Sequence, residues 1–151
     1  FETHKQNIEN IGGKAKSEIF FKAVPRYFNE DEYCIFIASI DEKPISALLV
    51  FYFNQTVEYF TPATLYEYRN DQPSALIIFE ALKDAAKLSH KNWNWGGTWF
   101  TQKGVYDFKK KWGANDFKYK YFINVRNKDL LEISDKTELV EAFTNFYLFP
   151  Y

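Results

Sequence analysis

Between Tyr33 and Phe60 the chain carries strand-length apolar runs separated only by tight polar turns, and no later stretch repeats that spacing. The first run, Tyr33 to Ile40, is rich in β-branched and aromatic residues and closes at Asp41-Glu42-Lys43-Pro44. Ile45 to Phe53 is the second, and Asn54-Gln55-Thr56 turns the chain into a third, Val57 to Phe60. Connections this short join only antiparallel neighbours, so the segment predicts a meander.

Beyond Phe60 the period changes. A polar loop through Asn70 and Asp71 leads to Pro73, which suits the first turn of a helix running to about His90. Asp71 is the expected N-cap, and Lys83, Lys87 and Lys91 complement the C-terminal dipole. Ala75, Phe79, Leu82 and Ala86 form the expected buried face. A brief strand, Asn92 to Trp95, stops at Gly96-Gly97; returning to the sheet through a helix makes it parallel to the third strand. Upstream, Gly12-Gly13 separates a polar stretch from a helix over Ser17 to Phe28, which Pro25 is expected to kink. Downstream come a short helix, Lys103 to Trp112, ended by Gly113, and an alternating strand, Phe117 to Arg126. Asp135 and Glu138 have capping-box spacing before a closing helix whose stripe is Leu139, Val140, Phe143 and Tyr147. This order predicts an α/β (α+β) fold: a mixed sheet, antiparallel meander followed by a parallel crossover, with helices on both faces. Where the meander gives way to the crossover, such sheets open a ligand cleft.

Composition narrows the function. The 151 residues suit one domain, 1–151. The longest apolar run, Ala47 to Phe53, falls far short of the ~20 residues of a membrane span. Nineteen Lys plus Arg against twenty Asp plus Glu give a net charge of −1, so nothing global draws the chain to nucleic acid or anionic lipid. One cysteine, Cys34, and two distant histidines, His4 and His90, allow no intrachain disulfide and no structural zinc pattern, and fit a cytoplasmic setting. Cys34, mid-strand, reads as an inert buried thiol, and His90 as a helix terminus. The sequence opens at Phe1 and contains no Met, as expected of a piece of a longer chain. Aromatic residues make up 21% of it, which favours strands and large flat packing surfaces.

No nucleophile elbow, P-loop, zincin, EF-hand or dinucleotide signature is present. What stands out is Gly96 to Ala114, with glycines at both ends and in the middle. On a helix, Val105, Phe108, Lys109 and Trp112 share one stripe. A lysine in an apolar stripe must snorkel, pair with an acid, or line a pocket. Trp93 and Trp95 share a strand face, as core or as cleft wall.

The strand ending in glycines, the Gly-Val-x-x-Phe-Lys-x-x-Trp-Gly-Ala run (Gly104 to Ala114) and the helix entered through Tyr66, Arg69 and Pro73 resemble the C-terminal GNAT-like acyltransferase domain of FemAB-like proteins over about residues 20–126. That family includes the peptidoglycan-bridge aminoacyltransferases. The resemblance implies transfer of an activated acyl or aminoacyl group to an amine, in cell-wall or surface-polymer biosynthesis. Lys109, with Phe108 of the Phe-Lys pair, is the implied catalytic element, its cation stabilising oxyanion charge. Implied substrate contacts are Tyr66, Arg69, Trp95, Gly97, Thr98, Gln102 and Gly104; no metal or resident cofactor is implied. The donor is aminoacyl-tRNA or, ranked lower, acyl-CoA, because Arg69-Asn70-Asp71-Gln72-Pro73-Ser74 lacks the glycines of a pyrophosphate loop. Arg69 either meets a phosphate or fixes its loop to Glu67 or Asp71. A second, N-terminal GNAT-like domain and a tRNA contact in the full-length protein are expected partners. The competing readings are a non-catalytic half of a two-domain protein and a free-standing acyl-CoA N-acetyltransferase.

Overall fold

The computed structural model describes residues 1–98, 101–118, 120, 122, 124, 126 and 128–131. The chain divides into two compact units, Phe1–Ala114 and Asn115–Tyr151. In the first, the elements are α1 (Glu2–Asn10), α2 (Glu18–Tyr27), β1 (Tyr33–Ile40), β2 (Lys43–Phe53), β3 (Thr56–Thr64), α3 (Pro73–Lys87), β4 (Asn92–Asn94) and α4 (Lys103–Lys111), with a 3-10 helix at Tyr66–Asp71. In the second, the described residues hold a 3-10 helix at Lys128–Leu131.

The strands form one sheet in the order β1-β2-β3-β4, with β1·β2 and β2·β3 antiparallel and β3·β4 parallel. The meander and the crossover are thus both present. Side chains on a strand alternate between faces. Leu48, Val50, Tyr52 and Val57 point to one, where they pack with Ile77, Ile78, Ala81 and Ala85 of α3. The Tyr52 hydroxyl donates to Asp84 Oδ2 at 3.0 Å, tying α3 to the sheet. On the opposite face Phe51 and Phe60 meet Phe28 and Phe20, and α1 lies over β2 and β3.

Two local expectations need correction. The buried face of α3 is Pro73, Ile77, Ile78, Ala81 and Ala85, while Phe79 is 52% exposed. Glu80, Lys83, Asp84 and Lys87 take one side of the helix, but its apolar arc covers more than half the circumference, so two stripes compete, and the sheet receives the one with Ile77 and Ile78. Its N-cap is Gln72, left-handed at φ 51°, rather than Asp71, because the preceding 3-10 helix takes up Asp71. The expected strand Phe117 to Arg126 falls in part on Tyr119, Tyr121, Ile123 and Val125, which lie outside the described residues. So does the closing helix with Asp135, Glu138, Leu139, Val140, Phe143 and Tyr147. Pro25 sits in the last turn of α2, which ends two residues later. Among the described residues no helix is long and apolar enough to cross a membrane.

The polar N-terminal stretch folds as α1, which periodicity does not mark. His4 is buried, and its Nε2 accepts from the Lys16 amide at 3.2 Å, which requires an unprotonated ring nitrogen. Burial, then the Lys16 charge, lowers its pKa below the ordinary 6.5. A group depressed on folding contributes stability that is complete above its unfolded pKa and is lost as pH falls through the folded one. Melting temperature is therefore expected to fall with acidification below about pH 6.5. His4→Gln should flatten that part of the curve; a wild-type slope in the variant would exclude His4 as its source.

Candidate active site

β3 and β4 pair only through Thr56↔Asn92, Val57↔Trp93 and Glu58↔Asn94. β4 then ends, while β3 runs on to Thr64. Just past the parting, β3 bulges: Thr61 and Pro62 oppose the single residue Leu48 between the pairs Leu49↔Phe60 and Ala47↔Ala63, and Thr61 takes φ 44°. A bulge re-aims the side chains around it. Tyr59 and Pro62 accordingly both face an open cleft of about 660 Å³, completed by Arg69, Trp95, Gly104, Val105, Phe108 and Lys109.

One wall is aromatic. Trp95 is its hub, with ring centroids 5.0 Å from Tyr59, 6.3 Å from Phe108 and 6.2 Å from Trp112. The cleft-wall and core readings of Trp95 both hold, since it lines the cleft and packs against the α3 core. Trp93 packs against the same core. The Tyr59 hydroxyl is desolvated by burial, which raises its pKa and keeps it protonated.

The other wall is α4. Gly113, at φ 81°, ends the helix with a left-handed residue, its amide donating to the Lys110 carbonyl at 2.9 Å. Of the stripe predicted for α4, Phe108, Lys109 and Trp112 turn inward and are half-buried, while Val105 is 42% exposed at the cleft rim. Lys109 lines the cleft, and its ammonium donates to the Gly96 carbonyl (3.1 Å), the Gly97 carbonyl (3.0 Å) and Thr98 Oγ1 (2.8 Å). An ammonium has three hydrogens, so all are engaged, and every acceptor is neutral. Among the described residues no carboxylate pairs with it, and burial lowers the pKa from its ordinary 10.5. Lys110 instead donates to the Ala114 carbonyl at 2.9 Å.

The structure thus gathers Arg69, Trp95, Gly104, Phe108 and Lys109 in the cleft, with Gly97 and Thr98 joined through Lys109. Phe108 packs on Trp95 and Trp112 and offers no reactive atom. Tyr66 and Gln102 are not in the lining; Tyr66 is 67% exposed beneath the Arg69 guanidinium, 5.1 Å from its ring. Arg69 donates to Asn7 Oδ1 at 3.3 Å, whereas Glu67 pairs with Lys43. Tyr59, Pro62 and Val105 are additional lining residues. Only Val105 carried a signal, its place in the α4 stripe. Among the described residues the lining has no carboxylate, histidine or thiol, and no group of three or more His, Cys, Asp or Glu could hold a metal.

A sequence model described as the FemAB family matches residues 14–119. No curated protein matches the chain. Among solved structures, the aminoglycoside acetyltransferase meta-AAC0020 from an uncultured soil metagenomic sample superposes with a TM-score of 0.63 at 9% identity, over 83% of this chain and 85% of that one. The aminoglycoside 6'-N-acetyltransferase AAC(6')-Ih from Acinetobacter baumannii gives 0.61 at 9% identity, over 83% and 92%. A transcriptional regulator from Bacillus halodurans C-125 gives 0.61 at 11%, over 82% and 89%. At such identities these likenesses establish a shared GNAT-type fold, which hosts more than one function.

Proposed function

The chain belongs to the FemAB family, and from that premise we propose that its cleft transfers an acyl or aminoacyl group from an ester donor to an amine. The observation that carries this is the Lys109 ammonium, held by neutral acceptors, with no acid paired to it among the described residues, and set opposite the aromatic wall where β3 and β4 part. The amine nitrogen attacks the ester carbonyl, and the new C–N bond forms as the carbonyl oxygen takes up negative charge. That oxygen replaces one of the neutral acceptors on Lys109, and a cation aimed at developing charge favours the transition state over the ground state. The C–O bond then breaks, the donor's alcohol leaves, and the proton of the attacking amine goes to that alcohol. An ester is activated enough for this to proceed without a carboxylate base in the lining. The acceptor class that fits the family is an amine of a cell-wall or surface-polymer precursor.

Aminoacyl-tRNA is the preferred donor class, because the N-terminus of α3 offers little to a pyrophosphate. Pro73 has no N–H, the Ala75 amide already donates to the Gln72 carbonyl at 2.9 Å, and the Gln72 amide to Arg69 at 3.1 Å. Acetyl-CoA is expected to bind at or beyond ~1 mM, a standard free energy of only ~−4 kcal/mol. Calorimetry yielding a low-micromolar constant would overturn this donor assignment.

A further inference from the structure

Where β3 and β4 separate, their last pair is Glu58↔Asn94. Asn94 Nδ2 donates to both carboxylate oxygens of Glu58, at 3.0 and 2.9 Å. That fixes which way the amide faces, because a carboxylate only accepts. Asn94 Oδ1 is thereby turned toward the Gly96 amide, which donates to it at 3.0 Å. Gly96 is in turn held at φ 69°, and its carbonyl is the first of the acceptors on Lys109. The chain of contacts is unbroken from the point of strand separation to the ammonium. Each link is directional, so reversing the Asn94 amide would put its NH2 group against the Gly96 N–H.

We propose that Glu58 and Asn94 are positioning residues that set, through the Gly96–Thr98 loop, where the Lys109 ammonium stands in the cleft. Neither lines the cleft. They act through the loop, and they couple the position of the cation to the point at which the strands part. The inference rests on reading Lys109 as the cation of the site. Its test reads the lysine itself, so it stands or falls separately from the detection of acyl transfer.

The experiment is competitive acetylation of the full chain by limiting acetic anhydride, with the Lys109 to Lys111 labelling ratio taken by mass spectrometry. Lys111 lies on the exposed side of α4 and is the internal reference. Asn94→Ala is expected to raise the ratio about threefold to tenfold, the factor for a lost hydrogen bond. Asn94→Asp should do the same, since it cannot donate to Glu58. Glu58→Gln combined with Asn94→Asp reverses donor and acceptor while keeping an acceptor for Gly96, and should return the ratio to the wild-type value. An unchanged ratio in Asn94→Ala, or a ratio still raised in the double variant, would overturn the proposal. Should the single variants not fold, the double variant decides: folding with a wild-type ratio supports the coupling, and a raised ratio or failure to fold contradicts it.

Discussion

Lys109→Ala is expected to lower turnover by about 10²–10³, the range for one lost stabiliser of an oxyanion, with the melting temperature nearly unchanged. The two halves of this expectation have separate causes. The ammonium is the charge that an attacked carbonyl would meet in the cleft, so its removal acts on the transition state. Its present acceptors, the Gly96 and Gly97 carbonyls and the Thr98 hydroxyl, lie on a largely exposed loop where water can replace it. Lys110→Ala and Lys111→Ala are the controls for rate, which should change little in either; Lys111 is an exposed surface site, so its stability change should stay within about ±0.5 kcal/mol, while Lys110→Ala also loses its bond to the Ala114 carbonyl. The reverse pattern, lower stability with turnover retained in the folded fraction, would make Lys109 a loop staple and nothing more.

Leu48→Ala is expected to cost about 2–5 kcal/mol, through lost burial and the cavity left behind. Leu48 is fully buried in mid-β2, opposite the β3 bulge, and belongs to the cluster that joins the sheet to α3. For a chain of this size the melting temperature should fall by roughly 5–15 °C. Phe79→Ala is the contrast. Its ring is half exposed beside Lys83, so the change should stay within about ±0.5 kcal/mol. A Phe79→Ala loss as large as that of Leu48→Ala would restore the helix face that periodicity alone suggested.

Those two residues mark what could be read before the structure. Strand alternation and tight turns were enough for the meander, because a period of two leaves one choice of face once a core exists. The parallel β3·β4 pair followed from a connection long enough to hold a helix. The phase of α3 did not follow: Ala75, Ile77, Ile78, Phe79, Ala81 and Leu82 spread over an apolar arc wider than one stripe, so tertiary packing decides which part meets the sheet. α1 was missed because its docking rests on polar contacts, a buried His4 and Asn7 accepting from Thr64 and Arg69, which no hydrophobic period signals. At the site, the inward phase of Lys109 was legible from the α4 stripe. Its acceptors were not, since two are backbone carbonyls. Tyr59 and Pro62 depend on where β4 stops and β3 bulges, which sequence spacing does not specify.

The most direct test of the account is the fate of a radiolabelled aminoacyl group. The full chain is mixed with a charged tRNA pool and amine-bearing cell-wall precursors, and label is followed from the alkali-labile ester to an alkali-stable amide. Acyl transfer in the β3–β4 cleft predicts alkali-stable label that accumulates with the wild-type chain and drops by about 10²–10³ in rate with Lys109→Ala. Label that stays in the ester, or amide that forms equally fast in both proteins, would contradict it.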